Sequence, residues 1–153
     1  MKESMGLVPT LSVIIFALVL ISGYLAFTIN YSKAYKANSK IVNIIQKYNN
    51  KIDERAQKEI NEYLESINYT SSENYLSKCS ESGYEIIQNT TGKGWCYKII
   101  SSEDEKDKSK NDVNRVYVKV RTYISIDIPI LNRIFPNLEL SRVDGATKPV
   151  IVE

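Results

Sequence analysis

The chain of 153 residues contains no histidine and only two cysteines. The absence of histidine excludes His-based acid–base catalysis and His-ligated metals, and two cysteines are too few for the usual zinc sites. A carboxylate or Ser/Lys mechanism would need a constellation of such residues, and none stands out along the sequence. We therefore predict a protein that is not an enzyme, with no catalytic residues and no metal or cofactor.

Formal charge is missing from Ser4 to Ser32. The apolar centre of this stretch, Leu7 to Phe27, has the roughly 20 residues that a helix needs to cross a ~30 Å hydrocarbon layer. The start, MKES, is nearly neutral and no A-x-A site follows the apolar core, so we expect the stretch to stay attached rather than be cleaved as a signal peptide. Residues 1–31 are predicted to be a transmembrane helix with a short leader.

Glycine and proline are absent between Gly23 and Gly83, so no breaker interrupts the helix after Tyr31. The apolar residues that follow keep the three-and-four spacing of a helix stripe: Ala34, Ala37, Ile41, Ile44, Ile45 and Tyr48. Residues 32–51 are therefore predicted to be a basic amphipathic continuation that ends near Asn49-Asn50. A second, short helix is predicted from the N-cap Asp53 to Ile67.

The region from 31 to 51 contains five lysines and no acidic residue. The three that flank the membrane, Lys33, Lys36 and Lys40, could hold anionic head groups at about 1 kcal/mol each. A solvated helix face explains them equally well. The positive-inside bias would place them in the cytoplasm, whereas the cysteine pair indicates an oxidising exterior. We expect a single-pass protein of the cell membrane with its C-terminal domain outside the cytoplasm.

Cys79 and Cys96 flank a predicted β-hairpin with strands Tyr84–Gln88 and Trp95–Ile100. A disulfide between them would close a loop of 16 residues, worth about 3 kcal/mol by chain entropy. Two unpaired buried thiols, or half of a metal site shared with another copy, are the alternatives. The lack of histidine and of a C-x-x-C motif favours the disulfide.

Residues 52–153 are predicted to be one small α+β domain. Its loop 101–112 is highly charged, and interleaved lysines oppose calcium binding there. Strict alternation from Val116 to Ile128 predicts a strand of an antiparallel sheet, with one apolar face and one face in water. Leu138 to Val143 and the terminal KPVIVE predict further strands, with a turn at Asp144-Gly145.

An apolar segment lies between two prolines near the C-terminus. Its large side chains either tuck under the sheet as a satellite core or form a contact patch facing the membrane or a neighbouring subunit. They are Ile130, Leu131, Ile134 and Phe135.

An N-terminal membrane helix continued into an amphipathic helix, and then a small β-rich domain with one disulfide, resembles the plan of pilin-like proteins. The stretches GLVPTLSVIIFALVLISGYLAF and VYVKVRTYISIDIPILNRIFPNLELS are similar to the TadE-like family of the Flp (tight adherence) type IV pilus machinery. The resemblance implies a pilin-like fold and packing with other pilin-like or pilus-assembly subunits through the N-terminal helix.

In pilin-type processing the chain is cut after a glycine, and the resemblance implies Gly6 as that position. Leu11 stands where such proteins generally have a glutamate. This departure implies an assembly or initiating component, of the minor pseudopilin type, rather than a major subunit.

Two functions therefore remain open. The first is a non-enzymatic, membrane-anchored structural or assembly component of a surface appendage, in contact with the lipid bilayer and with no nucleic acid. The alternative is a single-pass membrane protein whose exterior domain binds or senses a ligand or cell-wall component. Its contact surface would be Trp95, the tyrosines and the Gly92 to Gly94 loop.

Overall fold

The structure, a computed structural model, describes residues 4–69, 71, 75–86, 94–101, 115–125 and 140–151. The longest element is the N-terminal helix α1 (Ser4–Lys47). Its 44 residues extend for about 66 Å at 1.5 Å per residue. The chain then turns at Asn49 and Asn50, whose φ angles are 53° and 59°, a conformation that asparagine tolerates. The predicted continuation of the helix and its end are thus confirmed.

Helix α1 contains a proline, Pro9. Because α1 begins at Ser4, Pro9 lies in the second turn. The carbonyl of Met5 therefore lacks the backbone donor that residue 9 would supply in an unbroken helix.

Two shorter helices follow in the part of the chain that the structure describes. Helix α2 (Glu54–Ser66) begins at the predicted N-cap, since the Asp53 carboxylate accepts a 2.8 Å hydrogen bond from the backbone N–H of Ala56. It buries Ala56, Ile60 and Leu64. Helix α3 (Tyr75–Glu81) was not predicted, and it carries Cys79.

Within the described residues, four antiparallel strands form one sheet: β1 (Trp95–Ser101), β2 (Arg115–Ser125), β3 (Leu140–Ala146) and β4 (Val150–Ile151). Strand β2 lies in the centre, with β1 along one side and β3 and β4 along the other. Thr147 joins β3 to β4: its N–H donates to the carbonyl of Val118, and its hydroxyl accepts from the N–H of the same residue.

The structure corrects two of the sequence predictions for this sheet. Asp144 and Gly145 are not a turn but lie within β3, paired with Arg121 and Val120 of β2. The predicted strand at 84–88 is reduced, over its described residues 84–86, to a single bridge between Glu85 and Tyr97. Residues 87–93, with the rest of the predicted hairpin, lie outside the described residues.

One face of the sheet packs on the C-terminal half of α1. The core between them consists of Ala34, Ala37, Ile41, Ile44, Ile45, Ile60, Leu64, Tyr69, Trp95, Val118, Val120, Ile124 and Val143. The opposite face of β2 was expected to meet water, but Arg121 and Tyr123 are buried there because α3 and Tyr84 cover them. The chain thus has an α+β layout with a long apolar N-terminal helix.

Candidate functional site

The first half of α1 is the largest feature that the domain leaves uncovered. Two of its hydroxyls, on Ser22 and Thr28, donate to the helix carbonyls of Leu18 and Tyr24, so they are satisfied without a partner molecule. The large apolar side chains of this half are exposed: Leu11, Val13, Ile14, Ile15, Phe16, Leu18, Leu20, Ile21, Leu25 and Ile29.

By length and composition α1 is able to span a membrane. A core helix of a soluble protein can have the same length and composition, but it is mostly buried, and this stretch is not. A signal sequence would share the length, the composition and the exposure of this helix. The helix is therefore a candidate membrane anchor on its length, its composition and its exposure together.

The second half of α1 is fastened to the sheet by Asn38. Its amide Nδ2 lies 3.2 Å from the carbonyl oxygen of Val120 and 3.1 Å from that of Val143, with the hydroxyl of Thr122 at 3.4 Å. Only 4% of Asn38 is exposed. Gly145 lies directly against this side chain, and a Cβ there would overlap the Asn38 amide oxygen. Gly145, which the sequence predicted to be a turn residue, therefore leaves room for the Asn38 amide because it has no side chain.

Asn50 makes a second fastening at the far end of α1. Its Nδ2 donates to the carbonyl oxygens of Val116, at 3.0 Å, and Lys148, at 2.9 Å. Going from Asn38 to Asn50, the contacts on β2 move from Thr122 back to Val116. Strand β2 thus runs antiparallel to α1, and its C-terminal end lies toward the exposed half of the helix.

Three lysines along one face connect α1 to α2 and to the turn that follows α2, and we call them the lysine ladder. The Nζ of Lys33 donates to the carbonyl oxygen of Asn68 at 2.9 Å, Lys40 lies over the ring of Tyr63, and Lys47 forms an ion pair with Glu59 at 2.8 Å. Their spacing of seven residues keeps them on one side of a helix. Because their partners move along α2 in the opposite order, α2 runs antiparallel to α1.

Glu59 is the most strongly contacted group of the ladder. It accepts hydrogen bonds from Lys47 and from the hydroxyl of Tyr48, and these hold the pKa of Glu59 below its ordinary value. The same contacts raise the pKa of Lys47 and of Tyr48. This end of α2 is therefore tied to α1 in a way that depends on the ionised carboxylate.

Of the three lysines predicted to flank a membrane, Lys40 thus contacts α2 and Lys33 contacts the turn that follows α2. Lys36 is exposed and makes no such contact within the described part of the chain. The seven-residue spacing was visible in the sequence, but the partners on α2 were not.

Cys79 and Cys96 form the predicted disulfide, with an S–S distance of 2.01 Å and a Cα–Cα distance of 6.3 Å. The bond joins α3 to the start of β1, and both residues are buried. The fold therefore uses both cysteines, and the disulfide holds a helix of only seven residues on the outer face of the sheet.

Beside the disulfide lies a cluster that sequence reasoning missed. The Arg121 Nε donates to the Asp144 carboxylate at 2.6 Å, and the guanidinium lies 4.4 Å from the centre of the Tyr84 ring. Arg121 is 8% exposed, whereas the Asp144 side chain is 47% exposed. Only the alternation of the strand was visible in the sequence, and it does not show what covers a face.

The remaining predicted site residues are placed as follows. Trp95 is 1% exposed and belongs to the core between α1 and the sheet, so it does not form the surface suggested for ligand contact. Gly6 lies within the first turn of α1, and its cleavage stays a prediction. The apolar patch at Ile130, Leu131, Ile134 and Phe135 lies outside the described residues, as do residues 102–112 of the charged loop.

Comparison with protein-family models, with curated proteins and with solved structures finds no match at all. Among the described residues, no three His, Cys, Asp or Glu side chains lie together as a metal site. The function is therefore argued from the helix, the disulfide and the packing between them.

Proposed function

We propose that this chain is a non-enzymatic, single-pass membrane protein that acts as a structural or assembly subunit of a pilin-like surface appendage. The main support is α1, whose exposed apolar half and whose half in the domain core belong to one unbroken helix. The TadE-like resemblance of the sequence points to the same class of protein.

The continuity of α1 favours assembly over a tethered binding module. A module that captures ligands at the surface gains reach from a flexible linker, typically rich in glycine, serine or proline. Here Asn38 and Asn50 fix the helix to the sheet, and no hinge separates the two halves. Any movement of the helix in the membrane is therefore transmitted to the domain.

The domain is proposed to lie outside the cytoplasm because disulfides persist in oxidising compartments. The Cys79–Cys96 bond supports this side. The opposing argument, the basic flank, is weakened because Lys40 and Lys47 have partners on α2 and Lys33 has one in the turn after it.

Orientation is tested by labelling one added cysteine in intact cells. Lys148 is exposed at the far end of the domain, so a membrane-impermeant maleimide should label Lys148→Cys without lysis. The unmodified chain is the control, since both of its cysteines are in the disulfide and should not react. Labelling only after lysis would place the domain inside and contradict the proposal.

Assembly is tested by cross-linking between helices in the membrane. We expect single cysteines around the whole circumference of the exposed half to give cross-linked species whose yield varies with the three-to-four-residue period of a helix. The positions are Leu11, Val13, Ile14, Ile15, Phe16, Leu18, Leu20 and Ile21. No cross-link at any position, in a chain shown to be in the membrane, would favour the alternative of a ligand-binding module.

Processing at Gly6 is tested by the mass of the mature N-terminus. Cleavage would leave Leu7 as the first residue, and Gly6→Ala should abolish it. A chain that keeps residues 1–6 both unmodified and as Leu11→Glu would remove the leader from the proposal and leave the anchor in place.

A further inference from the structure

One end of the domain lies close to the exposed half of α1, and we call it the proximal end. Strand β2 and helix α2 both run antiparallel to α1, so their C-terminal ends meet there. It comprises Asn68, Tyr69, Ser71, Gly94 and the paired residues Ser125 and Leu140.

The proximal end is closely packed. Tyr69 donates its hydroxyl to the carbonyl of Tyr123 at 2.8 Å, and the N–H of Tyr123 donates to the carbonyl of Gly94. Gly94 has a φ of 68°, and a Cβ on it would overlap Ser71. Tyr69 and Gly94 are buried and brace this end of the domain, while Asn68 is exposed there, so the end moves together with α1.

Phe27 belongs to the apolar stretch and to the domain at once. It is the last residue of the apolar centre of α1, and its ring packs against the buried core of the domain. It also stacks on Tyr31, with ring centres 6.0 Å apart. Tyrosine is enriched at the level of lipid head groups, so Tyr31 fits a position just outside the hydrocarbon.

Helix geometry then gives the depth of the proximal end. If Phe27 lies at the hydrocarbon edge, Lys33 is about 9 Å and Asn38 about 17 Å beyond it. Asn68 is at the level of Lys33 through their hydrogen bond. Thr122 is at the level of Asn38 through their contact. Ser125 lies three residues further along β2, which brings it about 10 Å closer to the lipid than Thr122. Since the head-group region adds about 5 to 8 Å on each side, Ser125, at about 7 Å, lies within it, and Asn68, at about 9 Å, lies at its outer boundary.

We propose that the proximal end is a lipid-contact surface, seated in the phospholipid head-group layer. This inference rests on the membrane anchor of the proposed function and adds a second contact with the same bilayer. Lys33 supplies the chemistry for a phosphate, because an ammonium has three N–H donors and one of them is directed at Asn68.

The test is paramagnetic relaxation of backbone amides in the full-length chain, reconstituted in phosphatidylcholine nanodiscs. A fraction of the lipids carries a gadolinium chelate on the head group, and the same chelate with lanthanum is the diamagnetic control. Strand β2 extends for about 33 Å from Arg115 to Ser125, so the strand itself measures a gradient. We expect at least tenfold stronger relaxation at Ser125 and Gly94 than at Arg115 and Ile151.

A matched variant changes the depth of the domain, and with it the contact between Phe27 and the domain core. Seven added helical residues after Tyr31 raise the domain by about 10 Å and turn it little. Because relaxation falls with the sixth power of distance, the effect at Ser125 should drop about tenfold. The domain fold is checked in the same spectra by the amide shifts of β1 and β2.

The outcomes separate the two proposals. A chain recovered outside the nanodiscs would overturn both the membrane anchor and the contact of the proximal end with the head groups. A chain in the nanodiscs could instead show equal relaxation along β2, or stronger relaxation at Arg115 than at Ser125. Either result would overturn the contact of the proximal end with the head groups and leave the membrane anchor intact. Unchanged relaxation at Ser125 in the lengthened variant would likewise overturn the head-group contact, because the length of α1 would then not set the depth of the domain.

Discussion

Replacing Asn38 by aspartate tests the packing of α1 on the sheet. The amide nitrogen lies within 3.2 Å of two carbonyl oxygens, and 4% of the residue is exposed. In Asn38→Asp an oxygen takes the place of that nitrogen, and at neutral pH a carboxylate faces two carbonyls. An uncompensated buried charge costs about 3–5 kcal/mol, a large part of the 5–15 kcal/mol typical of a domain.

The pH dependence separates this charge effect from the loss of hydrogen bonds. Burial among acceptors raises the pKa of the new carboxyl above its ordinary value of about 3.9. The penalty is therefore absent below about pH 4, and it grows by about 1.4 kcal/mol per pH unit up to the pKa in the folded state. Asn38→Ala loses the hydrogen bonds at about 2–3 kcal/mol and should show no such slope.

The measurement is unfolding in detergent at several pH values, followed by the fluorescence of Trp95. This is the single tryptophan and is buried in the affected core. Asn43 lies on the exposed side of the same helix, so Asn43→Asp is the control and should change stability by less than about 0.5 kcal/mol. Equal stability of the two aspartate variants at pH 7 would refute the contact between the Asn38 amide and the sheet.

Three further changes test neighbouring contacts. Gly145→Ala should cost about 1–3 kcal/mol, because its Cβ overlaps the Asn38 amide oxygen; the cost should shrink in an Asn38→Ala background, and strictly additive losses in the double-mutant cycle would contradict the overlap. Replacing Cys79 and Cys96 by serine should lower stability by about 3 kcal/mol, and reductant should then have no further effect on unfolding, unlike in the unmodified chain. The lowered pKa of Glu59 gives stability that is present above about pH 4.5 and is lost as the pH falls through the folded-state value; Glu59→Gln should therefore show a shallower loss of Tm in acid, and identical profiles would exclude the contact.

Local signals in the sequence were enough for the helices that carry the architecture. The spacing from Ala34 to Tyr48 predicted the amphipathic half of α1, and the asparagine pair predicted its end. The Asp53 cap marked the start of α2. These features depend on residues within one or two turns of each other, so their physics is contained in a short window.

The features that the sequence did not reveal depend on distant contacts. Helix α3 has seven residues, too few to show a period, and it is stable because the disulfide and Tyr123 hold it on the sheet. Arg121 alternates as a surface residue would, and its burial follows from that cover. Asp144-Gly145 is a strong local turn signal, but here Gly145 is needed inside a strand because the Asn38 amide occupies the space of a side chain.

The lysine ladder weakens the argument that the basic residues after the membrane helix indicate a cytoplasmic domain. The positive-inside bias concerns lysines and arginines within about 15–20 residues of a membrane segment. Within that distance of Phe27, three lysines have a structural reason to be present: Lys40 and Lys47 contact α2, and Lys33 contacts the turn that follows it. Only Lys36 lacks such a contact among the described residues. The disulfide is therefore the stronger indicator of compartment, and an antiparallel helix pair accounts for most of the basic flank on either side of a membrane.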